Sequence, residues 1–155
     1  MVTNNLFGRC TKSPVRMRSN KRRVIDEDIG RKATSDRNRV FGNVFYAFHD
    51  GPEMTGRDNR SDYNIFVHPP TGQPFDLTAF YTKTGREAHS ITFASHMGLS
   101  PTNWTLEQTP TLPMLRFPRP PVVTFDFFNT SRQNDVTEAG PFAQRNLAQQ
   151  TVLRK

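Results

Sequence analysis

The side chains able to do chemistry are few and poorly placed for it. The histidines are His49, His68, His89 and His96, and none falls in an H-x-x-x-H or H-E-x-x-H pattern. His89 and His96 could share one face of a helix, but two ligands two turns apart do not close a metal site. Cys10 stands alone in a polar, basic stretch without the helix N-terminus or neighbouring base that lowers a thiol pKa. The carboxylate pairs Asp26/Asp28 and Asp58/Asp62 sit in polar surroundings and read as solvated charge. Lys83-Thr84-Gly85-Arg86 has phosphate-friendly residue types, but it lacks a G-x-x-x-x-G-K frame and reads as a turn. The expectation is a chain that is not an enzyme: no catalytic residue, no metal, no cofactor and no small-molecule substrate.

The elements that would have to position such groups look weak. Hydrophobic residues make up 34% of the 155 residues, and 12 prolines and 9 glycines interrupt them throughout. A chain of this length that folds alone buries about two-thirds of its unfolded surface. Much of the apolar material is phenylalanine, 13 residues in all, which anchors in a partner's pocket as readily as in its own core. The fold class expected is a mostly irregular, extended chain with a few short helices and strands and little independent hydrophobic core, held in shape by lying on a larger partner.

Charge is unevenly spread. The formal net charge is +7. Residues 1–25 contain Arg9, Lys12, Arg16, Arg18, Lys21, Arg22 and Arg23 and no acid, so the rest of the chain is neutral overall. That arm is expected to bind phosphates or an acidic protein face, with a strong salt dependence. A nuclear-localisation or mitochondrial signal is a weaker reading. No aromatic residue interleaves with the arm's basic run, which argues against base stacking. No apolar run is long enough for a signal peptide or a membrane span, so the chain is expected to be cytoplasmic, not secreted and not membrane-bound.

Four segments follow from this reading: a basic arm (1–25), an irregular body with short apolar elements (26–99), a proline-rich strip and strand (100–135), and a C-terminal helix (136–155). Within the body, Phe41, Val44, Phe45 and Phe48 recur at i, i+3, i+4 and i+7, which slightly favours a helix over residues 40–48. Ile65-Phe66-Val67 is extended and stopped by Pro69-Pro70. Residues 75–81 form a short apolar patch, and residues 87–99 a short helix. Prolines through 100–121 exclude a helix or a central strand there. Residues 122–128 alternate as a strand, one suited to pairing with an external edge, and Pro141 suits the first turn of a helix spanning 137–153. No internal repeat is evident. The apolar anchors for a partner are Phe41, Phe45, Phe48, Trp104, Phe117, Phe125 and Phe127.

In general character the chain resembles the small microtubule inner proteins of cilia and flagella. The features that carry the likeness are Asp58-Asn59-Arg60-Ser61-Asp62-Tyr63-Asn64, the proline strip 101–121, the phenylalanine anchors and the basic arm. The resemblance implies a structural protein of the axoneme, binding tubulin along an extended path and stabilising doublet microtubules. The partners are then tubulin or other scaffold proteins, whose acidic surface suits the arm. Two alternatives stand beside it: a ribosome-associated ribonucleoprotein component that binds RNA through the arm, and a viral structural protein.

Overall fold

The computed structural model of the chain describes residues 1–8, 13–17, 35–100, 105–110, 112–121, 123–125, 131–132, 135–140 and 150–152. Its first part is a coil of short parallel strands. The first turn carries β1 (Val2–Thr3), β2 (Leu6–Gly8) and β3 (Arg16–Met17), and the second β4 (Arg39–Phe41), β5 (Val44–Tyr46) and β6 (Glu53–Met54). The third carries β7 (Arg60–Asp62) and β8 (Ile65–His68), then the helix α1 (Leu77–Thr84) where a third strand would lie, and β9 (Ile91–Ala94) opens the next. Like strands stack in parallel into three ladders: β1-β4-β7, β2-β5-β8-β9 and β3-β6. This is a solenoid, in which each turn buries its apolar residues only by stacking on its neighbours.

The stacking register reveals a repeat. Val40 lies beside Ser61 and Val44 beside Ile65, and Asn43 bonds Asn64 across an offset of 21 residues. Asn38-Arg39-x-x-x-Asn43-Val44-Phe45 and Asn59-Arg60-x-x-x-Asn64-Ile65-Phe66 are the same coil written twice. The expectation of no internal repeat is therefore corrected.

Both faces of the longest ladder are buried, which is why its strands read as unbroken apolar runs rather than alternating ones. Phe45 and Phe66, with Val40, Phe48, Met54 and Val15, fill the coil interior, and Phe7 packs beside Phe45 with ring centres 5.5 Å apart. The neighbouring residues on the strands, Val44, Tyr46, Ile65 and Val67, face the other way, against Met97, Leu112, Phe117 and Ala139. Those four belong to the second part of the chain. There β10 (His96–Ser100) and β11 (Thr105–Thr109) pair antiparallel, β14 (Gln150–Val152) adds to β11, and β12 (Arg116–Pro118) pairs with β13 (Val136–Glu138).

The fold-class expectation is thus overturned. Strands in parallel and antiparallel sheets dominate, with one short helix among the described residues, and the chain has two apolar clusters of its own. Residues 40–48 are two strands and not a helix. The i, i+3, i+4, i+7 pattern arises because a corner at Gly42 (φ 64°) divides the run, and residues on either side of a corner follow no helical period. Residues 87–99 are not a helix either: a turn at Ala88–His89 leads into β9, with Ile91 and Phe93 alternating against Thr92 and Ala94, and then into β10. The helix instead lies at 77–84. Asp76 caps it by accepting from the Ala79 N–H at 2.8 Å, and Gly85 (φ 66°) ends it. β11 is a central strand inside the proline strip, since no proline falls between Thr105 and Thr109. Where a C-terminal helix was expected, the described ends of 136–153 are strands, and 141–149 lie outside the described residues. Of 122–128, Phe125 makes an isolated bridge with Ser131, and 126–128 fall outside the described set.

Candidate functional site

The densest polar chemistry lies where the coil closes on Glu87. It begins with stacked asparagines. The Asn5 side-chain amide donates to Asn43 Oδ1 at 3.2 Å, and Asn43 Nδ2 to Asn64 Oδ1 at 3.1 Å. Asn64 Nδ2 reaches Glu87 Oε2 at 2.8 Å. Asn43 and Asn64 are fully buried. Each also bonds backbone at a corner of the coil: Asn43 Nδ2 donates to the carbonyls of Val2 and Phe41, and Asn64 Nδ2 to that of Val40. The residue before each asparagine, namely Asn4, Gly42 and Tyr63, has positive φ. The ladder therefore satisfies backbone groups that each corner turns away from the strands. A second, shorter stack joins Asn38 to Asn59, whose Oδ1 accepts from the Asn38 N–H at 2.8 Å.

Glu87 ends the main ladder. It is 3% exposed, and its carboxyl meets the Ser61 hydroxyl, the Ser90 hydroxyl at 2.5 Å and the Asn64 amide. Burial pushes its pKa above the ordinary carboxylate value, with the nearby Asp62 charge adding to the rise and the three hydrogen bonds opposing it. Counting protons leads to the same state. The Ser61 hydroxyl has one proton, and it lies 3.1 Å from the Val40 carbonyl while also touching Glu87 Oε1. Both contacts are hydrogen bonds only if the Glu87 carboxyl is protonated and donates to Ser61 Oγ, leaving Ser61 to donate to Val40.

Beside this network Asp62 holds His89. Its Oδ1 accepts from the His89 and Tyr63 backbone N–H groups at 2.7 and 2.9 Å, and its Oδ2 lies 2.7 Å from His89 Nδ1. The His89 ring stacks on Tyr63 at 4.8 Å, and Tyr63 stacks in turn on Phe117 at 5.8 Å. A polar cleft of about 390 Å³ opens here, lined by Phe41, Asn59, Arg60, Asp62, Tyr63, Thr84 and Arg86 among others.

The arrangement does not assemble a nucleophile with its base. Ser61 is 3% exposed and faces a carboxyl with a raised pKa rather than the His89 imidazole. Every side-chain polar atom of the Ser61–Asn64–Glu87–Ser90 cluster is engaged inside the protein, so its chemistry is that of a corner lock.

The residues expected to bind a partner are scattered differently. Phe45, Phe48 and Phe117 are buried at 0%, 6% and 2% exposure, and Phe41 is half-buried against Tyr63. Phe45, Phe48 and Phe117 anchor this chain's own core, which removes them as anchors for a partner, while Phe41 keeps an exposed part at the cleft. Phe125 is 56% exposed and remains available. Trp104 and Phe127 lie outside the described residues. So do Arg9, Lys12, Arg18, Lys21, Arg22 and Arg23, while Arg16 sits on β3 and pairs with Glu53 at 3.2 Å. Among the described residues no helix is long and apolar enough to cross a membrane. The residues that sequence reasoning passed over are Asn43, Asn64, Glu87 and Ser90. The signal able to find the two asparagines was the recurrence of Asn-Arg-x-x-x-Asn, read as a stacking register; Glu87 and Ser90 stand outside it. Compared with known protein families, with curated proteins and with solved structures, the chain matches none.

Proposed function

We propose that this chain is a structural, non-enzymatic component of a larger assembly: a short solenoid that folds on its own and docks through its surface. The observation that carries the reading is the closed state of its polar centre. Glu87 and the groups around it are buried and mutually bonded, so they fasten corners of the coil and leave no reactive group presented to a substrate. Exposed apolar residues in the second part of the chain support docking. Met114 is 55% exposed, Phe125 56% and Val136 50%, and apolar surface of this kind commonly marks contact sites when it is contiguous.

The lumen of a ciliary doublet microtubule is one such assembly. An acidic tubulin wall suits the basic arm, and a rigid self-folded module suits a repeating lattice. The reading now works without Phe45, Phe48 and Phe117, so contact falls to Phe125, to the exposed part of Phe41, to surface polar groups and to the arm.

The test is extraction from cells with nuclease and then stepped salt. The chain is expected to stay in a detergent-insoluble assembly after nuclease and to leave only when the filaments dissolve. Release by nuclease favours the RNA-bound alternative, and recovery as a free monomer under gentle lysis contradicts the proposal.

A further inference from the structure

Two arginines stand in register on adjacent turns of the coil. Arg39 pairs in register with Arg60 on the next strand. The Glu87 N–H bonds the Ser61 carbonyl, and this close approach of the two segments brings Arg86 to the same cleft as Arg60. Adjacent rungs of a sheet are about 4.8 Å apart, and like charges directly opposite each other are destabilising. Among the described residues no ion pair relieves this pair, since the carboxylate pairings run Arg16–Glu53, Arg57–Asp36, His89–Asp62 and Arg116–Glu138. Arg39 spends its guanidinium on the carbonyls of Asn38 and Asp58. Arg86 gives one Nη2 bond to the Met54 carbonyl. The Arg60 side chain is exposed, and its guanidinium makes no hydrogen bond or ion pair with a described residue.

Arg60 and Arg86 both line the polar cleft, and the rest of its lining decides the sign of a ligand. The acceptors there are consumed. Both oxygens of Asp62 are held by His89 and the Tyr63 N–H, the Asn59 oxygen by Asn38, and the Thr84 hydroxyl by Phe80 and Arg86. What remains unspent is the Arg60 guanidinium, part of the Arg86 guanidinium and the Tyr63 hydroxyl. Guanidinium donors match the oxygens of phosphate in pairs. A base-stacking role is closed off, because His89 and Phe117 stack on Tyr63. A cleft of about 390 Å³ is of a size that takes a small organic molecule.

We propose that the cleft between Arg60 and Arg86 binds a small phosphate ester, with Arg60 as its principal contact, Arg86 as the second cation and Tyr63 as a hydroxyl donor. This site is independent of the assembly role. The test is calorimetric titration of the full chain with glycerol 3-phosphate and with inorganic phosphate at constant ionic strength. Saturable binding with a stoichiometry of one is expected, weakened at least tenfold in Arg60→Gln and unchanged in Arg57→Gln, an exposed arginine outside the cleft. Tyr63→Phe keeps the stacked ring and is expected to weaken binding several-fold, which keeps the test open should Arg60→Gln fold poorly. Tighter binding of the ester than of inorganic phosphate supports recognition of the organic part, and equal binding narrows the ligand to the oxyanion alone and overturns the ester assignment. Absence of saturable binding, or equal weakening by Arg57→Gln, overturns the site.

Discussion

The coil, built from β1 to β9, and the segments that cover it are held together in different ways. In the coil, cohesion is vertical. Phe45 touches Phe7 and Phe66 at ring distances of 5.5 and 5.1 Å, and the asparagine ladder runs along the same axis. Side chains one turn apart in the chain therefore stabilise one another. The covering part has little such repetition. β12 and β13 pair with each other and attach to the coil through separate contacts: Phe117 against Gly42 and Tyr63, the Gly140 N–H to the Gly42 carbonyl at 2.6 Å, and Asn4 Nδ2 to the Glu138 carbonyl at 3.2 Å. Buried Arg132 fastens this end internally, donating to the carbonyls of Glu138 and Gly140 at 3.0 Å. The difference teaches that the coil is a cooperative unit, whereas the cover is docked on it at a line of corners.

The largest effect expected from breaking that contrast is at the coil interior. Phe45→Ala should cost about 3–5 kcal/mol, with denaturant unfolding showing the whole chain lost in one transition. Asn43→Ala comes next. It removes the side-chain bonds to the Val2 and Phe41 carbonyls and to Asn64 Oδ1 and takes the acceptor of the Asn5 N–H away, at about 1–3 kcal/mol for each buried group left unmatched. Gly42→Ala strikes the junction. An added Cβ would lie 2.1 Å from the Phe117 ring, at a backbone φ of 64°, and overpacking of this kind costs about 1–3 kcal/mol. Its distinguishing outcome is loss of amide protection in β12 and β13 before the coil strands lose theirs. Asp76→Ala is the mildest, about 1 kcal/mol through the lost helix cap, with thermal unfolding as the readout.

Glu87 sharpens the comparison through pH. Its folded pKa is raised while the unfolded chain titrates at the ordinary value. The stabilisation from the neutral acid is therefore fully present below the unfolded pKa, and it is lost as pH rises from there through the folded pKa. Glu87→Gln is expected to abolish that part of the slope in stability measured across the acid-to-neutral range. An unchanged slope places the titration elsewhere.

Some of this was legible in the residues. Ile65-Phe66-Val67 before Pro69-Pro70 reads as a strand and is one. The coil was harder to see, because its repeat is irregular in length. The Asn43–Asn64 spacing is 21 residues, but Asn5–Asn43 is 38, and Asn64 bonds Ser90 across 26. Insertions of this kind hide a period from any fixed window. The two-sided burial of β5 and β8 removes the polar alternation that identifies most strands, so Val44-Phe45-Tyr46 was open to a helical reading. Low hydrophobic content misled for a related reason: asparagines at the corners occupy core positions that most domains fill with apolar side chains. Glu87 carried no local signal, since its partners Ser61 and Asn64 lie 26 and 23 residues away.

The central claim is that the chain holds this coil without a partner. Amide hydrogen exchange on the isolated protein tests it most directly. Strong protection is predicted for the N–H groups of Val44, Ala47, Ile65 and Ile91, which bond the carbonyls of Asn5, Val67, Asn43 and Asn64. Exchange of those four amides at the rate of an unfolded chain, with protection restored only on an assembled scaffold, would contradict the account.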